Sequence, residues 1–195
     1  MVIDGIIISF IVGLLRKGKL DWLSKPLFKW GWIFPVLLLV QVTVFYLQNS
    51  VQFIASISNY VFMAVYIIGL FFLWINRDHL GLNIIMAGVF LNFLVMIVNG
   101  GRMPVSEEAS IILDPVYIDT IKQGLYAKHA LITESTNLAF LGDIIPITDP
   151  YPKSQVISIG DVIMNIGIFI YIQNKMVSKN QTDKTSYEPH LREVN

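Results

Sequence analysis

Long apolar stretches separated by short polar ones dominate the chain. Four stretches have the length and composition of membrane spans: Trp30–Leu47, Phe53–Ile75, Leu80–Val98 and Val156–Ile172. A span needs roughly 20 mainly apolar residues, and about 17 to 25 are tolerated. A fifth stretch, Val2–Leu15, is shorter and precedes a basic run. We expect an N-terminal anchor there rather than a signal peptide, because no charged segment precedes it and no small-residue cleavage site follows. The pattern predicts an all-α membrane protein with five transmembrane helices.

The distribution of Lys and Arg predicts how these helices are oriented. The linker 16–29 carries five such residues, the turn 48–52 carries none, the turn 76–79 has Arg77, and the chain from residue 173 onward carries four. Lys and Arg are retained on the cytoplasmic side of a membrane. We therefore predict the N-terminus outside and the C-terminus inside, in one membrane domain of residues 1–175. Residues 99–155 then form a long outer-face loop that contains short interfacial helices, and residues 176–195 form a flexible cytoplasmic tail.

The composition agrees with a lipid environment and excludes several kinds of site. Hydrophobic residues make up 54% of the chain and charged residues 14%, whereas a soluble domain carries about 25% charged residues. The net charge is zero without a basic patch, so we expect the lipid bilayer as partner and no nucleic acid. The absence of cysteine excludes disulfides, thiolate metal sites and a cysteine nucleophile. No metal or cofactor is predicted.

One short phrase occurs twice near the C-terminal end of the chain. The sequence LGDII at 141–145 is echoed by IGDVI at 159–163, so Asp143 and Asp161 each follow a glycine in apolar surroundings. The proline turn at 149–152 lets the chain return to the membrane, with Ser158 as N-cap of the last span. A buried ionisable group is costly, so a catalytic site shared by both aspartates is one interpretation. In the other, Asp161 only stabilises the helix start and Asp143 is an exposed loop acid.

The run NGGRMPV at 99–105 directly follows the fourth predicted helix. Gly100 and Gly101 permit a sharp turn beside Asn99, and Arg102 then places a permanent cation at headgroup depth. Its guanidinium could pair with the aspartates, bind the phosphate or carboxylate of a substrate, or extend to lipid headgroups. We assign Asn99, Gly100, Gly101 and Arg102 to a candidate anion-binding site.

Other features have mainly structural interpretations. A short helix is predicted between Asp114 and Gly124, either lying in the headgroup plane or packing on the bundle. His129 has no partner at ligand spacing and is interpreted as a surface residue rather than a metal ligand. The remaining polar and small residues of the spans are predicted to hold the helices together: Asn83, Asn92, Asn165, Gly160 and Gly167.

Two resemblances follow from these motifs. NGGRMPV, followed by LGDIIP and SIGDV, resembles an uncharacterised family of bacterial multi-span membrane proteins, which implies a bacterial plasma membrane and no known activity. The last third is similar in site geometry to lipoprotein signal peptidases, which are membrane aspartic proteases. That resemblance implies a catalytic pair of Asp143 and Asp161, with Ser158, Asn165 and Asn137 supporting it. Asn137 stands in for an Asp-Arg pair of that family, and Ile144 replaces an aromatic residue.

Three functions remain open from the sequence. The first is an aspartic hydrolase that acts on a membrane-anchored peptide or lipid at the outer leaflet, with one carboxylate protonated so that the pair divides acid and base roles. The second is a transport component with a polar path along Asp161 and the asparagines, although no charge lies in the middle of a predicted span. The third is a structural or accessory membrane protein.

Overall fold

The fold is mostly helical. The computed structural model describes residues 2–24, 27–48, 50–113, 119, 121–122 and 128–177. Its α-helices are α1 (Val2–Leu15), α2 (Ile33–Leu47), α3 (Gln52–Ile75), α4 (Leu82–Val98), α5 (Glu107–Ser110) and α6 (Ile159–Val177). Short 3-10 helices occupy Asp21–Ser24 and Ala139–Leu141, and the strands are β1 (Met103–Val105), β2 (His129–Leu131), β3 (Ile145–Ile147) and β4 (Gln155–Ile157).

The five long helices lie where the apolar stretches predicted them. The largest difference is at the last one, which spans Ile159–Val177 instead of Val156–Ile172. It begins later because Val156 and Ile157 belong to β4. Of the described helices, α3 alone is both long and apolar enough to cross a membrane, with 24 residues and a mean hydropathy of 1.9. The apolar parts of α1, α2 and α4 run to between 10 and 17 residues. The helix positions are confirmed, whereas helix length and hydropathy together support one span rather than five.

Helix α6 packs between two other helices of the bundle. It packs against α1 on one side and α4 on the other, while α3 packs against α4 and α2 against α3. The contact between α4 and α6 depends on glycine. A Cβ atom on Gly167 would lie 2.7 Å from the backbone nitrogen of Ile85 and 2.8 Å from the carbonyl oxygen of Gly81. A Cβ atom on Gly160 would lie 2.7 Å from the carbonyl oxygen of Gly88. The predicted close contacts of Gly160 and Gly167 are therefore confirmed.

The helix ends form two layers, one at each end of the bundle. At one end, the amide side chain of Asn76 accepts a hydrogen bond from the Lys29 backbone N–H (2.8 Å) and donates one to the Lys29 carbonyl oxygen (3.0 Å). At the same end, the Lys19 backbone N–H donates to the carbonyl oxygen of Met176 (2.9 Å). The C-terminal end of α1 therefore meets the C-terminal end of α6, and Gly5 lies against Asn165 nearer the start of both helices, so these neighbours run parallel. The other layer, where α4 ends and α6 begins, is named the cavity end.

Each layer has its own apolar core. The cluster near the cavity end includes fully buried Val95 and Met96 of α4. The cluster at the opposite end includes buried Phe72 of α3 and Tyr171 and Met176 of α6. Separate clusters of buried side chains thus pack the two ends of the bundle, and the cluster near the cavity end includes residues of α4.

Residues 99–158, named the connecting segment, contain β-structure that was not predicted. β1 and β2 pair in parallel with Met103 opposite His129, and β3 and β4 pair antiparallel with Ile145 opposite Ile157. The predicted turn at 149–152 is confirmed, because the Tyr151 backbone N–H donates to the Thr148 carbonyl oxygen (3.0 Å). The all-α prediction is wrong here, since strands of three residues are too short to show an alternating pattern.

Two predicted segments fall largely or wholly outside the described residues. Of the helix predicted between Asp114 and Gly124, the structure describes Asp119, Ile121 and Lys122, which are helical, and Ile121 is buried. The predicted cytoplasmic tail is described only at Met176 and Val177, which belong to α6. The helix in the headgroup plane and the flexible tail stay predictions.

Candidate functional site

A cavity of about 520 Å³ opens at the cavity end of the bundle. Its lining combines charged and polar side chains with an apolar wall. The polar members are Lys128, His129, Asp143, Lys153, Ser154, Gln155 and Asp161, and the apolar members are Val105, Ile112, Leu113, Val156 and Ile157. The structure therefore brings both predicted aspartates to one cavity, together with three basic side chains that the sequence did not assign to the site.

Asp143 is fixed by the backbone of the connecting segment. Its N–H donates to the carbonyl oxygen of Pro104 (2.8 Å), and its carbonyl oxygen accepts from the N–H of Ser106 (3.0 Å). These bonds form a bridge to Val105 at the edge of β1. Only 7% of Asp143 is exposed. The interpretation of Asp143 as an exposed loop acid is therefore wrong.

His129 lies in β2 and contacts Asp143, which is bridged to the neighbouring strand β1. Its Nε2 atom lies 3.4 Å from Oδ2 of Asp143, and its side chain is only 12% exposed. The interpretation of His129 as a surface residue is wrong, because strand pairing with β1 carries the side chain inward. Burial lowers the pKa of His129 below its ordinary value of 6.5, and the hydrogen bond to Asp143 opposes this shift without reversing it. The imidazole is consequently neutral at pH 7.

The carboxylate of Asp143 is incompletely hydrogen-bonded. Its Oδ1 atom is shielded from solvent and has no hydrogen-bond partner, and its Oδ2 atom has the long contact with His129. An unpartnered buried acceptor costs about 1–3 kcal/mol. Native proteins carry few such groups, so each requires an explanation. Asp143 is therefore an ionisable residue of the cavity that the fold leaves without a full set of hydrogen bonds, and Nε2 of Gln155 in the same lining also has no partner.

Asp161 differs from Asp143, because both of its carboxylate oxygens accept hydrogen bonds, one from the helix cap and one from α4. The Asp161 N–H donates to Oγ of Ser158 (3.0 Å), and the Ser158 N–H donates to Oδ2 of Asp161 (3.3 Å). This reciprocal arrangement is a capping box that satisfies free N–H groups at a helix start. The predicted N-cap role of Ser158 is confirmed, as is the stabilisation of the helix start by Asp161.

Asn92 of α4 joins this cap to the neighbouring helix. Its Nδ2 donates to Oδ1 of Asp161 (3.0 Å), and its Oδ1 accepts from Oγ of Ser158 (2.8 Å). Asn165 donates from Nδ2 to the Asp161 carbonyl oxygen one turn earlier (2.8 Å), and its side chain touches Gly5 of α1. The predicted interhelical role is confirmed for Asn92. Asn83, by contrast, is exposed and lies in a groove beside Phe71 and Trp74.

The run NGGR terminates α4 instead of lining the cavity. Gly100 and Gly101 have φ values of +69° and +82°, and the Gly101 N–H donates to the carbonyl oxygen of Met96 (2.8 Å), as at many helix C-termini. Asn99 donates from Nδ2 to the Asn137 carbonyl oxygen (2.8 Å) and accepts from the Asn137 N–H (3.0 Å). Asn99 and Asn137 thus clamp the connecting segment to α4. Anion binding by Asn99, Gly100 and Gly101 stays a prediction.

Arg102 lies apart from the aspartates. It is half-buried and is not among the residues that line the cavity. Although Arg102, Asp143 and Asp161 are all described, no ion pair within 4.0 Å joins the guanidinium to either carboxylate. The proposed pairing is therefore not seen. Binding of an external anion by Arg102 stays a prediction.

Sequence reasoning missed His129, Lys128 and Lys153 as cavity residues. Lys128 and His129 lie at a strand whose partner is 26 positions away, and Lys153 lies in the connection of a hairpin whose strands are only three residues long. The described ranges contain no group of three or more His, Asp or Glu side chains arranged as a metal site. The arrangement that remains is a carboxylate–imidazole pair with a second carboxylate and two ammonium groups around one cavity.

The comparisons with known proteins cover most of this architecture. The profile of DUF5317, described as a family of unknown function, matches residues 25–173. The chain belongs to this family. An uncharacterized protein of Thermotoga maritima is 34% identical over 119 residues, which make up 61% of this chain and 66% of that protein, just under two thirds of its length. No solved structure matches the chain.

The family match includes the whole cavity lining, α2 to α5, and α6 as far as Gln173. It agrees with the resemblance to an uncharacterised bacterial family, and its description names no activity. The resemblance to lipoprotein signal peptidases receives no support from the family or the relative. The catalytic pair that the resemblance implied therefore has to be judged on the geometry of the cavity.

Lowering the pH should destabilise the protein through His129. Because its pKa is lower in the folded state than in the unfolded state, the unfolded state binds more protons once the pH falls below about 6.5. The free energy of unfolding should therefore fall as the pH drops from 6.5 through the folded pKa, and His129 should contribute nothing at higher pH.

Burial also lowers the pKa of His79, so wild type and His129→Gln have to be compared directly. Unfolding of both in detergent between pH 8 and pH 4.5 measures the difference. Identical pH profiles would contradict the assignment of a buried, neutral imidazole.

Proposed function

We propose that the chain is a five-span protein of the bacterial plasma membrane whose cavity faces outward and hydrolyses a membrane-anchored peptide or lipid. One observation carries the hydrolase proposal. Asp143 is buried with an unpartnered oxygen, beside a neutral His129, in a cavity that also contains Asp161. Perturbed titratable groups in a cavity are a common property of catalytic sites.

The exposed surface of the bundle supports several spans. Only 22% of the apolar window of α3 is buried, which a core helix of a soluble protein would not show. Large apolar side chains are also exposed on α1, α2 and α6, and such continuous apolar surfaces mark contact with lipid or protein. At about 1.5 Å per residue, α1, α2 and α4 are shorter than a hydrocarbon core of about 30 Å. Local thinning of the bilayer and interfacial residues can accommodate short helices.

The placement of basic residues supports the orientation. The layer opposite the cavity end gathers the cationic side chains of the helix termini, namely Arg16, Lys19, Lys29, Arg77 and Lys175. The positive-inside tendency assigns that layer to the cytoplasm. The cavity end is then outside, in agreement with the orientation predicted from the Lys and Arg counts.

Single-cysteine labelling tests this topology, since the chain has no native cysteine. Ser50 and Ser135 are exposed and should label from outside, whereas exposed Ser24 should label only after the membrane is permeabilised. The measurement uses intact cells and a maleimide that cannot cross the membrane. Ser50 and Ser135 lie on opposite sides of α3 and α4 in the chain, so labelling of both from outside requires an even number of crossings between them. Labelling of Ser24 in intact cells would contradict the orientation.

The proposed reaction uses water as nucleophile. His129 is neutral and accepts a proton from the attacking water, while the Asp143 carboxylate stabilises the imidazolium that forms. The water oxygen bonds to the carbonyl carbon of the substrate, and the imidazolium then returns the proton to the leaving group as its bond to carbon breaks. In the alternative form of the proposal, Asp143 and Asp161 share one proton as a coupled pair.

A structural role has one specific observation in its favour, and it concerns Asp161. Both carboxylate oxygens of Asp161 already accept hydrogen bonds, from Ser158 and from Asn92. This set explains the residue without any substrate. We therefore place proton transfer on Asp143 and His129, and assign Asp161 the role of fixing the start of α6 beside them.

Asn substitutions at the two aspartates should have different consequences. Asp143→Asn should fold normally and lose hydrolysis by about 100-fold or more, because the imidazolium loses its counter-charge. Asp161→Asn should lower the melting temperature, because an amide offers one acceptor where two donors converge, at a cost of about 1–3 kcal/mol. The control is Glu134→Gln, an exposed acid of the connecting segment.

The assay is release of fluorescence from a quenched lipopeptide and from a quenched phospholipid, beside thermal melts in detergent. We expect wild type and Glu134→Gln to cleave at least one probe at equal rates. Full activity of Asp143→Asn would contradict its role. Failure of folded wild-type protein to cleave either probe would overturn the hydrolase proposal and leave the structural function.

A further inference from the structure

The charges that line the cavity are not satisfied by one another. Oδ1 of Asp143 has no hydrogen-bond partner. Lys128 and Lys153 line the same cavity, and within the described ranges no carboxylate lies within 4.0 Å of either ammonium group. Asp161 does not compensate for them, because its oxygens are occupied by Ser158 and Asn92. The cavity thus offers one acceptor for a cation and two donors for an anion.

The two lysines differ in depth. Lys128 directly precedes β2 and is half-buried, and its charge is close enough to His129 to lower the pKa of that imidazole. Lys153 lies in the connection between β3 and β4 and is exposed. One ammonium group is therefore inside the cavity and the other is at its rim. Two cations at different depths suit an anion that enters together with a larger group.

An apolar wall completes the lining. Val105, Ile112 and Leu113 contribute apolar surface beside Asp143, and Val156 and Ile157 of β4 contribute more. A volume of about 520 Å³ falls within the range of about 300–1,000 Å³ that is typical of small-molecule sites. A cavity whose lining has cationic, anionic and apolar parts fits an amphiphile better than a simple ion.

We propose that the cavity binds the headgroup of an aminophospholipid, which carries a primary ammonium group next to a phosphate diester. The ammonium group donates to the Asp143 carboxylate, whose terminal torsion is broad enough to turn either oxygen into the cavity. The phosphate accepts from Lys128 and Lys153, and charge-assisted bonds of both kinds are strong. The glycerol and the first acyl carbons contact the apolar wall. This inference rests on the proposed function only for the outward position of the cavity in a membrane.

Native mass spectrometry of the full chain in a non-ionic detergent tests the inference. The probes are diether forms of phosphatidylethanolamine, phosphatidylglycerol and phosphatidylcholine, which lack the acyl ester bonds of ordinary lipids. Phosphatidylglycerol lacks the ammonium group, and phosphatidylcholine has a quaternary ammonium without N–H donors. We expect phosphatidylethanolamine to bind roughly fivefold or more tightly than either, since one charge-assisted hydrogen bond distinguishes them.

Variants test which side chains bind the ammonium group and which bind the phosphate. Asp143→Asn should reduce the affinity for phosphatidylethanolamine to the affinity for phosphatidylglycerol. Lys128→Gln should weaken the binding of both lipids. Lys153→Gln, at an exposed position that tolerates substitution, should weaken the binding of both to a smaller extent. Lys29→Gln, an exposed lysine at the opposite end of the bundle, is the matched control and should bind like wild type. Equal binding of all three lipids, unchanged by Asp143→Asn and Lys128→Gln, would overturn the inference.

A soluble probe distinguishes the lipid from a free headgroup compound. O-phosphoethanolamine carries both charges without acyl chains, so it should compete with the lipid only weakly. Competition at equal affinity would overturn the lipid assignment. Because binding is measured without turnover, loss of the hydrolase proposal would leave these lipid preferences unchanged. Loss of the lipid preferences would leave the cleavage assay as it stands.

Discussion

The close crossing of α4 and α6 is the contact on which the rest of the architecture depends. Gly88 and Gly160 bring the two backbones so near that a Cβ atom on either residue would collide with the other helix. At this separation Asn92 reaches both Asp161 and Ser158. The helix start of α6 is consequently held by hydrogen bonds from its own cap and from its neighbour. In a lipid environment, where helices gain no hydrophobic driving force from association, close backbone packing and such polar contacts hold helices together.

The cavity follows from this crossing. β4 directly precedes α6, so fixing the helix start also fixes β4 and its partner β3. On the other side, α4 ends in the glycine turn at Gly100 and Gly101 and continues into β1, which positions Asp143 and β2. The connecting segment therefore closes over the crossing from both directions. Asp143 and Asp161 lie in one lining because Asp161 is in the first turn of α6, whereas Asp143 is bridged to Val105 in the strand that follows α4.

The sequence predicted the parts of this fold that local patterns determine. The apolar runs gave the five long helices, the Ser158 cap followed from one side chain, and the small residues of α6 indicated a close helix contact. The strands could not be predicted, because three residues are too few to show a period, and pairing of Met103 with His129 depends on residues 26 positions apart. The burial of His129 and Asp143 depends on the same pairing. Local sequence therefore located Asp143 and Asp161 but did not distinguish the one whose carboxylate the fold leaves with an unpartnered oxygen.

The thermal stability of Gly160→Ala tests the crossing most directly. The added Cβ would lie against the Asn92 side chain and 2.7 Å from the carbonyl oxygen of Gly88. Overpacking of this kind costs about 1–3 kcal/mol, so the melting temperature in detergent should fall. Gly69→Ala of α3 is the matched control, because nothing lies within 4 Å of its Cβ position and alanine favours a helix by up to about 1 kcal/mol. We expect Gly69→Ala to melt at or above the wild-type temperature and Gly160→Ala below it. A Gly160→Ala protein as stable as Gly69→Ala would contradict the close crossing, and with it the way the cavity is built.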